Sequence, residues 1–119
     1  MPISNPLGAP LQSQGKAETR VLTVASGDVA YTGYGFRPTA LLIFAADTAT
    51  GAASWGVASS DKTYGLTRQL FDDNMSHGTF IVYLAISSGN SQSAILKSFD
   101  ADGFTLTWSK TGTPSGTAY

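Results

Sequence analysis

The chain contains no cysteine among its 119 residues. A disulfide framework, a thiolate metal site and a cysteine nucleophile are therefore excluded. Long apolar runs are also absent, and none approaches the ~20 residues of a membrane-spanning helix. The first twenty residues lack the basic cluster and apolar core of a secretory signal. The sequence thus predicts neither a membrane span nor a cleaved leader.

Charge is scarce as well. Seven basic side chains oppose eight acidic ones, and charged residues make up 13% of the chain, against ~25% in typical globular domains. Nucleic acid and anionic membranes are normally met by a clustered basic surface, and no such block is present. We therefore expect neither nucleic acid nor a membrane as a partner.

Candidates for catalysis and metal binding are few. The chain has one histidine, His77, and one glutamate, Glu18. A Ser-His-Asp triad would have to use His77, which lies in the loop-like segment "FDDNMSHG". The nearby Asp72 and Asp73 could complete a metal site with it, but one histidine beside two adjacent carboxylates is common in surface loops. We predict a non-enzymatic protein with no catalytic, cofactor-binding or metal-binding residues.

The acidic segment "DADG" at residues 100–103 looks at first like part of a calcium loop. An EF-hand loop with Gly103 in its sixth position would begin at Ser98 and end at Ser109, so the carboxylate at each end is missing. Phe104, Leu106 and other apolar residues alternate with threonines just after it, which is the period of a half-buried strand. The segment therefore predicts a β-hairpin whose turn uses Gly103 at positive φ.

Strand signals continue from residue 20 to the end of the chain. "TALLIFAA" (39–46) and "TFIVYLAIS" (79–87) predict buried strands, and residues 53–59 predict another strand. The second of these runs is apolar on both faces, so we expect a strand that is central in its sheet and covered on both sides, or one that contributes a face to a subunit interface. Residues 64–73 are expected to form one short helical turn at most. Seven or eight short strands with glycine-rich turns predict an all-β, antiparallel β-sandwich, jelly-roll-like or immunoglobulin-like, with an extended N-terminal arm. The predicted core comprises Leu42, Phe44, Trp55, Val82, Leu84, Leu96, Phe104, Leu106 and Trp108.

The first twenty residues have a different composition from the rest. Prolines recur at every fourth position (2, 6 and 10) among small polar residues, which favours an extended arm with little structure of its own. The aliphatic residues spaced through the arm would have no use in a solvated linker, so we expect the arm to be held by its own domain or, preferably, by a neighbouring subunit or a larger assembly. We predict an arm over residues 1–20 and a β-sandwich over 21–119. The predicted partner-contacting residues are Ile3, Leu7, Leu11, Lys16 and Arg20.

The aromatic residues allow a second kind of site. Rings with polar tips favour interfaces, and an exposed group of them can stack on sugars. The competing interpretation places both tryptophans in the core, because they lie within strand patterns. The residues concerned are Tyr31, Tyr34, Trp55, Tyr64 and Tyr119.

Three segments together resemble a family of small head and tail surface proteins of tailed bacteriophages. They are "GYGFRPTALLIFAA" (33–46), "SWGVAS" (54–59) and "SFDADGFTLTWSKTGTPSGTAY" (98–119), and the resemblance covers roughly residues 33–119. It implies a domain entered through Gly-Phe-x-Pro and closed by an Asp-Gly-Phe-Thr hairpin. Members of the family continue past "GTAY" into a final apolar strand, so we expect a closing strand here that is short or is completed by a neighbour.

The resemblance implies a non-enzymatic virion structural protein, made in the host cytoplasm and located at the virion surface. We expect a capsid decoration or cement protein that binds the particle through its N-terminal arm and stabilises it. Its partners would be the major capsid protein or other virion subunits, and it would form a homo-oligomer such as a trimer. The alternative is a receptor-binding module of a head or tail fibre that recognises a host glycan or surface protein. We favour the first because fibre tips usually follow a long trimeric shaft, which this sequence does not show.

Overall fold

The computed structural model describes residues 12–69 and 73–119, which form strands and loops without a helix. Two four-stranded antiparallel sheets pack against each other, and this confirms the predicted antiparallel β-sandwich. The strands are β1 (Arg20–Val21), β2 (Gly27–Tyr31), β3 (Ala40–Ala46), β4 (Ala53–Ser59), β5 (Thr63–Gln69), β6 (Asn74–Gly78), β7 (Val82–Ser87), β8 (Asn90–Asp100), β9 (Gly103–Thr111) and β10 (Thr117–Ala118). The first sheet has the order β2-β9-β8-β7 and the second the order β3-β4-β5-β6, while β1 pairs with β10.

The predicted hairpin around the acidic segment is confirmed as β8 and β9. Its register pairs Asp100 with Gly103 across a two-residue turn. The Asp100 carboxylate accepts hydrogen bonds from Ser98 Oγ at 2.8 Å and from Thr105 Oγ1 at 2.6 Å. Those two hydroxyls, Thr105 first, lower the pKa of the Asp100 carboxyl. The carboxylate therefore serves to close the hairpin.

Asp102, in the same turn, organises the loop that leads towards β3. Its carboxylate accepts hydrogen bonds from the backbone N–H of Gly35 at 2.7 Å and of Gly33 at 2.8 Å. Its carbonyl oxygen accepts a third from the Tyr34 N–H at 3.0 Å. The two amide donors hold the pKa of the Asp102 carboxyl below its ordinary value. One side chain thus ties the hairpin turn to the turn-rich segment at residues 33–35.

Gly103 has the positive φ that the sequence predicted, 158°, a conformation that residues with a side chain rarely adopt. A Cβ atom at this position would also lie only 1.9 Å from the carbonyl oxygen of Tyr31 on β2. Both the backbone conformation and the close approach of two strands therefore demand glycine.

The two sheets meet where β7 and the residues before it cross the inner face of the second sheet. A Cβ atom at Gly56 would lie 2.1 Å from the Ile81 carbonyl oxygen, so the backbones are in direct contact there. Beside this contact, Ser54 Oγ accepts a hydrogen bond from the Tyr83 N–H at 3.1 Å, and Thr67 Oγ1 donates one to the Tyr83 carbonyl at 2.7 Å. Two hydroxyls thereby satisfy the backbone N–H and C=O of Tyr83 on the free edge of β7, groups that could otherwise pair with another chain.

This arrangement corrects two predictions about strands. β7 lies at the end of its sheet, so the prediction of a central strand is wrong; the alternative, a strand that contributes one face to a subunit interface, stays a prediction. Residues 63–69 and 74–78 form β5 and β6, although the sequence was expected to provide a short helical turn and a loop there. Glycine, threonine and serine on their inner positions weakened the strand signal.

The core lies between the sheets, and most of its predicted members are confirmed. Val82, Leu84, Phe104, Leu106 and Trp108 are at most 5% exposed. Leu96 is partly buried and packs against this cluster.

Three predicted core residues are placed wrongly by the sequence. Leu42 is 58% and Phe44 70% exposed, and Trp55 is only partly buried. In β3 it is the alternate residues Leu41 and Ile43 that pack against the core. Both faces of this strand are apolar, so its sequence does not reveal which face turns inward.

Candidate interaction surfaces

The outer face of the second sheet is apolar across all four strands. The strand register arranges its side chains in three rows: Leu42, Val57 and Tyr64; Phe44, Trp55, Leu66 and His77; Ala46, Ala53, Arg68 and Met75. We call this surface the apolar face. Five of its large side chains are about half exposed or more, at 49% to 70%: Leu42, Phe44, Val57, Tyr64 and Met75.

The apolar face exists because the inner positions of the same strands must be small. Gly56 and Gly65 admit the backbone of residues 80 and 81, and Ser54 and Thr67 bind the edge of β7. Side chains alternate along a strand, so the bulky residues between these positions point to solvent. Exposed apolar patches of this kind mark interaction sites in soluble proteins.

Charge on the apolar face is confined to the last of its three rows. Arg68 is its single Lys, Arg, Asp or Glu among the residues of the three rows, and its guanidinium donates to Asp73 Oδ1 at 2.8 Å. Tyr64 Oη lies 2.6 Å from His77 Nδ1, and the two rings stack with their centroids 5.6 Å apart. The face therefore offers mainly apolar and aromatic groups, with polar atoms at Tyr64, His77 and Arg68, a composition suited to protein surfaces or sugars.

The residues that the sequence offered for catalysis or metal binding either lie apart or already bind another side chain. His77 lies on β6 and not in a loop, and Asp73 binds Arg68, while Asp72 lies outside the described residues. Across residues 12–69 and 73–119, no group of three or more His, Asp or Glu side chains is close enough to hold a metal ion. The non-enzymatic and metal-free character of the protein stays a prediction.

The end of the N-terminal arm, at residues 12–19, lies against the protein's own domain. Lys16 Nζ donates to the Thr32 carbonyl oxygen at 2.6 Å and lies 4.8 Å from the centre of the Tyr34 ring. Tyr34 Oη donates to Glu18 Oε1 at 3.2 Å. Burial, reinforced by the negative charge of Glu18, raises the pKa of Tyr34 to about 12. The phenol therefore keeps its proton and remains a donor to the arm at neutral pH.

Arg20 anchors the root of the arm. Its Nε donates to Gln92 Oε1 at 2.7 Å, and its guanidinium lies 4.3 Å from the centre of the Trp108 ring. The fully buried Gln92 amide in turn donates to the carbonyl oxygens of Leu22 and Val24 at 2.7 and 2.8 Å. Sequence reasoning missed Gln92, because one glutamine within the polar run "SSGNSQSA" carries no distinguishing signal.

These contacts account for only part of the predicted arm site. Lys16 and Arg20 contact the protein's own domain, whereas Ile3, Leu7 and Leu11 lie outside the described residues. Contact between these five residues and a partner stays a prediction.

An apolar cleft of about 430 Å³ runs between the arm and β3. Residues 14–20 form one wall, which we call the arm wall, and residues 41–45 form the other, the β3 wall. β10 and Tyr119 close one end. The floor consists of core side chains: Tyr31, Val82, Phe104, Leu106 and Trp108.

The aromatic residues proposed as a stacking surface divide between these two places. Trp55 and Tyr64 lie on the apolar face, on neighbouring strands. Tyr31, Tyr34 and Tyr119 line the cleft. The structure therefore offers two separate aromatic groups and no single surface formed by all five residues.

Comparison with known proteins adds no relative: no family model, no curated protein and no solved structure matches the chain. The resemblance to phage surface proteins stays a prediction.

In the part of the chain that the structure describes, no helix is long and apolar enough to cross a membrane.

Proposed function

We propose that the protein is a non-enzymatic structural protein of a virus particle, a capsid decoration or cement protein at the virion surface. The apolar face carries this proposal. Each Val, Leu, Phe or Met side chain that becomes buried against a partner contributes about 1.5–3 kcal/mol before the costs of association. The apolar face exposes four such side chains and Tyr64 across its four strands, which suits it to a broad protein contact.

Two further properties support a structural role. Charged residues are few, so the attachment relies on shape and apolar contact rather than on long-range electrostatic attraction. The N-terminal arm supplies a second attachment, to a neighbouring virion subunit, through its aliphatic residues. Two contacts made by one molecule strengthen each other, since the second forms at a high effective concentration.

The proposal is tested by the occupancy of undecorated particles. We expect the double variant Val57→Ser, Met75→Ser to bind at least about tenfold more weakly, because two partly buried anchors are lost from the interface. Ile95→Ser is the matched control: Ile95 is 48% exposed but lies on the outer face of the other sheet. Full occupancy by the double variant, or equal loss in the control, refutes attachment through the apolar face.

The consequence for the particle is tested separately. Particles that carry the protein should survive heating and osmotic shock better than particles that lack it. If the double variant binds poorly, particles mixed with it should behave like undecorated ones. Particles that are equally robust with and without the bound protein would contradict a cementing role.

The alternative proposal is a receptor-binding module of a head or tail fibre. It is favoured by one observation, the exposed aromatic group on the apolar face, where the Tyr64 and His77 rings stack and Trp55 lies on the strand beside Tyr64. Aromatic rings with polar tips bind the apolar faces of sugars. Loss of adsorption to host cells without loss of particle robustness, when Tyr64→Ala replaces the native protein, would select this alternative.

A further inference from the structure

The cleft has the width of one β-strand. Arg20 of β1 pairs with Ala118 of β10, and on the other side of β10 Ala46 and Tyr119 exchange two hydrogen bonds of 3.0 Å. β10 therefore lies between β1 and β3. The arm wall and the β3 wall are consequently two strand spacings apart where they leave β10, or about 9.6 Å.

The β3 wall presents backbone groups to this space. Successive residues of a strand direct their N–H and C=O groups to opposite edges. Since Ala46 bonds to Tyr119, Leu42 and Phe44 direct their backbone groups towards the cleft. Within the described residues, neither of these two has a backbone hydrogen bond on the cleft side. Unpaired strand edges of this kind accept an added strand.

The floor between the walls favours aliphatic side chains. Phe104, Leu106 and Val82 are buried at its base, and Leu41 and Ile43 of β3 point to the same side. A strand laid between the walls would direct every second side chain into the cavity of about 430 Å³. The occupant should therefore be an extended segment with aliphatic residues at positions of one parity.

We propose that the cleft takes residues 1–11 of a second copy of this chain as an added strand. The aliphatic residues of that segment, Ile3, Leu7 and Leu11, all have odd numbers, so one face of an extended strand carries all three. The prolines at positions 2, 6 and 10 all have even numbers, and their missing N–H groups fall on a single edge. The five odd-numbered residues from 3 to 11 keep a complete set of donors and acceptors for pairing with β3. The prolines then lie on the edge that faces the arm wall, where residues 12–19 form no strand, and the added strand is an edge strand of the second sheet, a position in which proline is tolerated.

The direction of the arm favours a second copy over the same molecule. Residues 12–19 contain no turn or bend, so the chain leaves the rim of its own cleft in an extended course. To return to that cleft, the chain would have to reverse before residue 12. A reversal over residues 8–11 would bring only Ile3 back level with the cavity. A second copy, in contrast, can insert the segment with two or three aliphatic side chains directed inward.

This inference deepens the proposed function, because it names the neighbouring subunit that holds the arm. It is tested on the purified protein without particles, so its failure leaves attachment through the apolar face to be judged by particle occupancy. The first measurement is molar mass in solution. We expect an oligomer for the full chain and a folded monomer after removal of residues 1–11. A monomeric full chain, or an oligomer that persists after the removal, overturns the proposal.

The arm side is tested by a matched pair of charge substitutions. Leu7→Asp places a carboxylate in the cavity and should raise the dissociation constant of the oligomer by about tenfold or more. Ser4→Asp adds the same charge at an even position, on the opposite face of the strand, and should leave the oligomer intact. Equal effects of the two substitutions would refute the assigned face.

The cleft side is tested by backbone substitution at one position. Phe44→Pro removes the N–H that Phe44 directs into the cleft but leaves pairing with β4, which uses the neighbouring residues. Phe44→Ala removes the same aromatic side chain and keeps the N–H. We expect Phe44→Pro to weaken the oligomer well beyond Phe44→Ala. If both variants associate alike, backbone pairing with β3 is not used.

The absence of native cysteine allows the source of the strand to be identified directly. Leu7→Cys is combined in turn with Leu41→Cys, Ile43→Cys and Ala45→Cys, which together sample the registers along the β3 wall. At least one pair should form a disulfide that joins two chains on a non-reducing gel. A disulfide within one chain shows that the arm fills its own cleft, and no disulfide in any pair shows that it is elsewhere; both results overturn the proposal.

Discussion

The two tryptophans provide a quantitative test of the fold, because the structure gives them opposite environments. Trp108 is 5% exposed within the core, its Nε1 donates to Tyr31 Oη at 3.0 Å, and the Arg20 guanidinium covers its ring. Replacement of a buried tryptophan by alanine costs about 3–5 kcal/mol. Domains of this size are stable by about 5–15 kcal/mol. Trp108→Ala should therefore remove a large share of the total stability.

Trp55 is the matched control for this substitution. It lies on the apolar face, where its cross-strand neighbours are Phe44 and Leu66. Loss of such cross-strand contacts costs about 1 kcal/mol or less per pair, so Trp55→Ala should be much milder than Trp108→Ala. Trp108→Phe, which keeps a ring but loses the hydrogen bond to Tyr31, should fall between them.

The stability of all three variants is measured by urea unfolding followed by far-UV circular dichroism. Tryptophan fluorescence is unsuitable because each substitution removes one of the two tryptophans. The dependence of the unfolding free energy on urea should stay constant, so that midpoints report stability. A cost below about 1.5 kcal/mol for Trp108→Ala would show that the ring is not in a well-packed core. A larger cost for Trp55→Ala than for Trp108→Ala would invert the assignment of inner and outer sheet faces.

Three further substitutions probe the contacts that shape the fold. Gly103→Ala would place a Cβ atom 1.9 Å from the Tyr31 carbonyl oxygen, so the strands must separate, and we expect a loss of about 1–3 kcal/mol in urea unfolding. Thr67→Val keeps the side-chain shape but leaves the Tyr83 carbonyl without its buried donor, which should cost about 1–3 kcal/mol in the same assay. The pKa of the Asp102 carboxyl is lowered in the folded protein by its amide donors. The ionised carboxylate therefore contributes to the free energy of unfolding above the ordinary carboxyl pKa of about 3.9, and this contribution is lost as the pH falls through the lower pKa of the folded state. Asp102→Asn should therefore make the decline in unfolding free energy below about pH 4 shallower than in the native protein, and an unchanged decline would contradict the carboxylate's bonds to the loop.

The candidate surfaces were only partly predictable from the sequence. The arm could be predicted from its prolines and aliphatic residues, since these are local features of composition, and it stays a prediction over residues 1–11. The apolar face was not, because Leu42, Phe44 and Trp55 have the residue types and the β-prone surroundings of a core. What turns them outward is the backbone of residues 80 and 81, which lies against Gly56 and Gly65 and leaves no room for larger side chains inside. That contact joins segments at least fifteen residues apart.

The sequence by itself determined the strands whose two faces differ in polarity. In β9, Phe104, Leu106 and Trp108 alternate with threonine and serine, so burial of one face was the only favourable outcome and the core assignment holds. The acidic turn was equally determined, since its spacing excluded a calcium loop and favoured a hairpin. In both cases the decisive free-energy terms act between residues close together in the chain.

Only the tertiary structure decided the inner face of β3, the position of β7 at the end of its sheet, and the cleft. In β3 both faces are apolar, so transfer from water favours either orientation, and the packing partner makes the choice. The cleft is formed by residues 14–20, 41–45 and 118–119, which no local pattern brings together. Their arrangement follows from β10 pairing with β1 on one side and with β3 on the other, a long-range pairing that sets the arm wall and the β3 wall about two strand spacings apart.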